Sequence, residues 1–447
     1  MTKIKEPSVA GSFYSDNKEA LEAQIKTFSE NNKNEYEYKT RGVIVPHAGL
    51  IYSGRLAYEG ISQLRPDVKN IFIFAPAHRV GFEGISLSSY DRWKTPLGEI
   101  EVNQDICKEL IEKFGAKVND EAIEPEHSIE IEVPIIQSIL PDVKIIPVLI
   151  GRADFEIVAK IIEEYYKNEE NGFVISSDLS HFLSNEDAKK LDNKTAEMIE
   201  KGNLEGFRFD QACGAIGIAG LVEFSNKNNY SLIRIDMTNS SATTGDKKSV
   251  VGYGTWFLYE GSKDEFIKKY YGESLINIVK KTLQASFSKE KTEIKYPQVL
   301  NQSGACFVTL EKFGNLRGCI GSIIAYRPLI IDLVEHSKDA AFRDYRFNPL
   351  QEDELSDIKV SISLLTEPKR IEFSSEEDLL DKIVPFVDGI IIKDGSYQAV
   401  YLPVVWEQLP EKREFLNSLK IKAGLAPNHF SESFEAYRFY SVYVKEE

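Results

Sequence analysis

Apolar residues gather along the chain in short, nearly unbroken runs. GVIVPHAG (42–49), NIFIFAPAH (70–78), KIIPVLIG (144–151) and GFVISSDLSH (172–181) each begin rich in Val, Ile or Phe and end at a polar, Gly or Pro signal. Continuous apolar character, as opposed to strict alternation, predicts strands covered on both faces of a mostly parallel sheet. Between the runs, stretches 104–114, 157–166 and 186–201 repeat their apolar positions at helical spacing. SVVGYGTWFLYE (249–260) predicts a last strand. The alternation predicts an α/β domain, a layered sheet with helices, over residues 1–260.

GSKDEF (261–266) is polar and reads as a connector. Residues 267–447 carry a different pattern. A helix is predicted over 273–287, a strand pair over 305–322, a helix over 329–342 and a strand over 358–365. A hairpin over 388–403 and a helix over 412–423 follow. That order predicts an α+β domain. A chain of 447 residues accommodates two such domains, each with a core that needs no disulfide.

Charge narrows the partners. Lys plus Arg number 54 and Asp plus Glu 70, a net charge of −16. That balance argues against a general nucleic-acid or anionic-membrane binder, since both need a basic surface. The cysteines Cys107, Cys213, Cys306 and Cys319 form no C-x-x-C pair, so a reducing, cytoplasmic setting is expected. The start MTKIKEPSVAGSFY lacks an apolar core, so no signal peptide is expected. No apolar run approaches the roughly 20 residues of a membrane span.

The candidate chemistry follows from where the runs stop. Ligands of open α/β sheets bind beyond the carboxyl ends of the strands. His47, His78, Asp178 and His181 all come just after an apolar run, which predicts one shared sheet edge. His47 and His78 with Cys213, from FDQACGAIG (209–217), would make an open three-ligand site for iron, copper or zinc. Turn histidines and a buried Cys answer to the same pattern.

In SSDLSH (176–181), Asp178 fits a fourth ligand or an orienting carboxylate, and His181 a proton-transfer group. A helix N-terminus capped by Ser177, Asp178 or Ser180 fits as well. EPEHSIEIEVP (124–134) sets His127 beside Glu126, ahead of Glu130 and Glu132. It reads as an acid/base group or as a helix start with acids at its positive end. TNSSATTGDKKS (238–249) lines a pocket or makes turns, and lacks the Gly-Lys-Ser/Thr ending of a phosphate loop.

In the second domain, LRGCIGS (316–322) sets Cys319 between two glycines with Arg317 nearby. It reads as a tight turn with an activated thiol and an anion site, or as a β-turn with a buried Cys. FRDYRFNPL (342–350) brings Arg343 and Arg346 among aromatics, as a recognition surface or as a helix end stopped by Asn-Pro.

These segments carry a resemblance. AGSFYS (10–15), VPHAGLIYSG (45–54), APAHRVGFEGISLSSYDRWKTPLGEIEV (75–102), EHSIEIEVP (126–134), SSDLSH (176–181) and TGDKKSVVGYG (244–254) resemble the Memo family. LRGCIGS, AAFRDYRF (340–347), VDGIII (387–392) and LPVVWEQLPEKREFLNSLKIKAGL (402–425) resemble the AMMECR-type family. The Memo fold is similar to that of class III extradiol dioxygenases, which are non-haem iron enzymes. The resemblance implies a metal held by two His and a Cys, matching His47, His78 and Cys213, with Asp178 as a further metal-site residue. His127 and His181 match proton-transfer positions of the dioxygenase relatives. Iron or copper is implied, with zinc as the alternative. A thiolate is softer than a carboxylate and favours copper or zinc more, so ring cleavage does not follow from the fold.

Phe13 stands where Trp is common in the family, Leu50 where Tyr is, Tyr345 where Pro is and Val404 where Gln is. The two families also occur with a radical S-adenosylmethionine protein in the grouping AmmeMemoRadiSam, as components B and A, which implies such a protein as partner. The expected function is metal-dependent redox chemistry on a small-molecule or peptide substrate. Against it stand a non-catalytic module that captures a peptide or small anion and docks a partner, and a structural zinc protein.

Overall fold

The computed structural model describes residues 2–32, 36–288 and 295–446. The chain divides into two compact units, Met1–Gly261 and Ser262–Glu447.

The first unit is built on a mixed sheet whose centre is parallel. Lys144–Ile150, Asn70–Pro76, Asn171–Ser176 and Gly42–Val45 lie side by side in that order. Val250–Tyr259 then adds antiparallel to Gly42–Val45 and carries Ser231–Asn239 and His181–Leu183. The four central strands are buried along almost their whole length, as continuous apolar runs require.

Alternation along a strand sends successive side chains to opposite faces, and this sheet shows it. A Cβ on Gly42 would sit 3.7 Å from Leu221 of the helix Ala215–Asn228. Three residues on, Val45 faces the helix Leu50–Ile61, where a Cβ on Gly60 would come within 2.4 Å of its side chain. Helices therefore cover both faces, and the polar business of the sheet is confined to its ends.

The N-terminal segment is fastened by one buried carboxylate. Glu130 accepts from the Lys5 ammonium at 2.7 Å, from the Ser8 and Val9 amides at 2.9 Å and from the Tyr14 hydroxyl at 2.9 Å. Burial and the Glu130 charge push the Tyr14 phenol well above its ordinary range.

The second unit holds two four-stranded antiparallel sheets among its described residues. One runs Asn315–Gly321, Ala305–Lys312, Ile358–Leu365, Ser441–Lys445, and the other Lys369–Ile371, Glu435–Phe439, Gly389–Asp394, Tyr397–Tyr401. Asn315–Gly321 is an outer strand. There the Cys319 amide donates to Asp344 Oδ2 at 2.9 Å, and Arg346 Nη2 donates to the Cys319 carbonyl at 3.2 Å. Arg346 is in turn paired with Asp344 at 2.7 Å.

Four sequence expectations are corrected here. Residues 263–266 are not connector: Ser262 and Glu265 form a capping box that starts the helix Lys263–Phe287, and Phe266 is already buried. LRGCIGS is not a turn but most of the strand Asn315–Gly321; the turn is Phe313–Gly314, both at positive φ. Gly318 is needed because a Cβ would lie 2.0 Å from the Ala340 carbonyl of the helix packed above. SSDLSH does not start a helix, since Ser184 caps Asn185–Lys201. The helix Leu329–Phe342 stops before the Asn348-Pro349 pair, with Arg343 as its cap.

Candidate metal centre

The parallel strands deliver their polar residues to one end of the sheet. His47 follows Gly42–Val45, His78 follows Asn70–Pro76 and Asp178 follows Asn171–Ser176. Val45 is paired with Ser176, so His47 and Asp178 leave the sheet side by side. The His47 amide donates to Asp178 Oδ1 at 2.9 Å. Asp178 thus orients the His47 backbone, and burial raises its carboxyl to about 7 against the pull of that hydrogen bond.

His127 arrives from a different element, the one-turn helix His127–Glu130. Glu126 caps it and is itself almost wholly buried. Its carboxylate accepts from the His78 amide at 2.6 Å, the His127 amide at 3.0 Å and the Ser128 amide at 3.2 Å. Its Oε1 also lies 3.0 Å from His78 Nδ1 and 3.0 Å from His127 Nδ1. Burial alone would push this carboxyl up, but the hydrogen bonds from His127 and His78 outweigh it and hold it well below the usual carboxylate range. One charged group therefore sets the His78 ring and holds the backbone of both His78 and His127.

The three rings converge. Centroids of His47 and His78 are 5.2 Å apart, those of His47 and His127 5.5 Å, and those of His78 and His127 4.8 Å. One ring nitrogen from each lies within 4.8 Å of the others. Phe13 packs on the His127 ring at 4.7 Å. Burial, reinforced by the neighbouring imidazoles, lowers His47 well below its ordinary range, so it is neutral with a lone pair to offer.

Cys213 comes from just before the helix Ala215–Asn228. Its Sγ lies 3.2 Å from His47 Nε2 and 3.6 Å from the Asp178 carbonyl. Gly214 permits this approach, because a Cβ there would lie 2.6 Å from Ser177. Burial pushes the Cys213 thiol up to about 12. Three converging imidazoles, with a soft sulfur against one of them, are donors of the kind that iron, copper and zinc take.

Cys213 also forms part of the wall of a cavity of about 560 Å³. Phe82, Phe209, Ile150 and Ile216 make the cavity largely apolar. Its charged wall residues, Arg152 and Glu83, are paired with each other at 3.2 Å.

The structure thus brings together His47, His78, Cys213, Asp178 and His127. His181 opens the strand His181–Leu183, half-buried; burial lowers it, and the His78 charge adds to that. Arg317 and Cys319 belong to the second unit. Arg317 is held by Glu354 through Nε at 3.1 Å and Nη2 at 2.9 Å, and Cys319 Sγ accepts from the Thr309 hydroxyl at 3.2 Å. Sequence reasoning passed over Ser176, whose hydroxyl faces His47 Nδ1 at 2.9 Å. The available signal was a polar residue at the very end of an apolar strand.

A family model described as Memo-like protein matches residues 5–257, and one described as AMMECR1 matches 276–444. A MEMO1 family protein of Aquifex aeolicus is 31% identical over 268 residues, covering 57% of this chain and 100% of the relative. A MEMO1 family protein of Schizosaccharomyces pombe is 36% identical over 192 residues, 40% of this chain and 61% of the relative. Among solved structures, an uncharacterized protein from Pyrococcus horikoshii is similar at 31% identity, covering 39% of this chain and 91% of that one, with a TM-score of 0.36.

Proposed function

The chain belongs to the Memo-like protein family and carries an AMMECR1 domain behind it, and from that premise we propose that its first unit is a mononuclear non-haem metal site for redox chemistry on a small molecule. The observation that supports this most is the convergence of three imidazoles and a thiol at the carboxyl ends of parallel strands. His47 has its Nδ1 turned to the Ser176 hydroxyl and His78 to the Glu126 carboxylate, as metal-binding histidines do.

His47, His78 and Cys213 would hold the metal, with Asp178 keeping His47 in place. Iron or copper, when bound, supplies Lewis acidity and an exchangeable electron. The chain supplies the rest. The largely apolar cavity beside Cys213 seats the substrate. His127, gripped by ionised Glu126, and His181 hold or move protons on the substrate. A radical S-adenosylmethionine protein of the AmmeMemoRadiSam grouping is proposed as the partner that makes or uses that substrate.

The experiment is metal analysis of the anaerobically purified full-length chain, with X-ray absorption at the iron, copper and zinc edges. One metal per chain is expected, lost in His78→Ala and in Cys213→Ala. Stoichiometric metal in both variants overturns the reading. His181→Ala is expected to keep metal and lose turnover. Intact metal with no oxygen or substrate consumed in either protein would point to a binding module.

A further inference from the structure

We propose that the cavity beside Cys213 takes an uncharged, flat apolar group, such as an aryl ring, and that Phe82 and Phe209 are the residues that select it. The proposal rests on the reading of that cavity as the substrate seat and adds the class of substrate.

Both rings line the cavity but come from unlike places. Phe82 belongs to a segment fastened to the end of the strand Lys144–Ile150. The Arg152 amide donates to the Phe82 carbonyl at 2.8 Å, the Gly84 amide to the Arg152 carbonyl at 2.8 Å and the Gly151 amide to the Gly84 carbonyl at 3.0 Å. Gly151 makes this fit possible, since a Cβ there would lie 2.7 Å from the Phe82 ring. One side of the ring is packed on Gly151, so a ligand meets a ring that is already in place and loses little freedom on binding.

Phe209 stands on a turn between the helices Asn185–Lys201 and Ala215–Asn228. The turn is anchored from within. The Arg208 amide donates to Gln211 Oε1 at 2.9 Å, the Gln211 amide to the Arg208 carbonyl at 3.1 Å, and the Nε2 of buried Gln211 to the Thr195 hydroxyl at 3.3 Å. Even so, Phe209 is 67% exposed. A large apolar side chain left open on an anchored turn, and lining a cavity, is a contact surface for a ligand.

Charge narrows the class. Glu83 and Arg152, the charged wall residues, are paired with each other at 3.2 Å, so an ion would lose water without gaining a free partner. Apart from that pair and the Cys213 thiol, the wall side chains are apolar or absent. Two rings in the wall favour a ring over a rounded group of similar size, because aromatic contacts bind about 2- to 10-fold more tightly than the area they cover accounts for.

The test is fluorescence titration of the full-length chain with N-phenylnaphthylamine, which is neutral, and with anilinonaphthalene sulfonate, a similar set of rings carrying a negative charge. Saturable binding of the neutral probe is expected, with the sulfonate about tenfold weaker. Naphthalenemethanol should displace the neutral probe about 2- to 10-fold more effectively than adamantanemethanol, a rounded alcohol of the same carbon count. Phe209→Ala should weaken the probe about tenfold, and Phe209→Tyr, which keeps the ring, should restore it. Phe209 is exposed, so neither change threatens the fold, and urea unfolding checks this. Phe82→Leu keeps apolar bulk and should shrink the preference for the naphthyl alcohol. Unchanged probe affinity in Phe209→Ala, a sulfonate that binds as tightly as the neutral probe, or equal displacement by the two alcohols overturns the proposal. The expected probe binding by a chain that takes up no metal would remove the metal reading and leave this one supported. One metal per chain with no probe bound would remove this one alone.

Discussion

Cys213 Sγ stands 3.2 Å from His47 Nε2, with burial holding the thiol up to about 12. A neutral thiol cannot be a strong ligand, so metal uptake must expel its proton. The number of protons released is therefore a direct readout. Calorimetric titration with Zn²⁺ in buffers of different ionisation enthalpy is expected to show about one proton lost per metal near pH 7. Affinity should fall as pH is lowered. Cys213→Ser should release fewer protons and bind more weakly. Proton-neutral binding by the unsubstituted chain would exclude Cys213 as a ligand.

Glu126 carries more of the site than its size suggests. It receives three backbone amides and faces two imidazole Nδ1 atoms. Glu126→Gln keeps the shape, but one of its two ends becomes a donor that meets N–H groups. Metal affinity is expected to fall about 10- to 100-fold. Stability should fall by about 1–3 kcal/mol, since a buried charged acceptor is lost. Chelator competition and urea unfolding measure the two. Unchanged metal affinity in a folded variant would mean that His78 and His127 do not need this anchor.

The cavity beside Cys213 separates substrate binding from metal binding. Ile216 lines it and is otherwise buried at the start of its helix. Ile216→Trp narrows the space from a wall position that is not one of the proposed ligands. It is expected to weaken an uncharged hydrophobic fluorophore about tenfold or more and to leave metal content unchanged, an effect worth roughly 1.4 kcal/mol. Because Arg152 and Glu83 are paired, anionic analogues should gain nothing over neutral ones. Tighter binding of the anions would show that Arg152 is free to take them.

Much of the first unit was legible because continuous Val and Ile runs have few alternatives to a covered strand. GVIV, NIFIF and KIIPVLI lie within a residue or two of the strands that form. The positions of His47 and His78 followed from strand ends. The linkages between them did not. Ser176 lies 129 residues from His47 and 44 from Glu132, and no local pattern announces a contact at that separation. Gly318 likewise reads as a turn residue until the Ala340 carbonyl is placed above it. The capping box at Ser262 was visible, but Gly-Ser flanked by charges imitates a connector.

Arg317 and Glu354 give the second unit an acid-sensitive clamp. Glu354 also accepts from Lys312 at 3.1 Å. The Arg317 hydrogen bonds hold its carboxyl down at about 2. A folded-state value below the unfolded value of 4.5 means that the native state releases this proton more readily. Its stabilisation is full above about pH 5 and is lost as pH falls towards 2. Glu354→Gln is expected to cost about 2 kcal/mol at pH 7, because the half-buried guanidinium loses its charged acceptor. The cost should shrink to near zero at pH 2. Urea unfolding at a series of pH values checks this, and a pH-independent gap would mean that the ion pair contributes nothing.

The Asp344–Arg346 pair has a consequence for association. An outermost strand leaves a row of amides and carbonyls that another chain can join. At Cys319 both groups are already engaged by side chains that stand in for a fifth strand. An incoming segment would have to break an ion pair before forming its first main-chain bond there. LRGCIGS and FRDYRF thus meet at Cys319 to cap that edge of the sheet against a further strand.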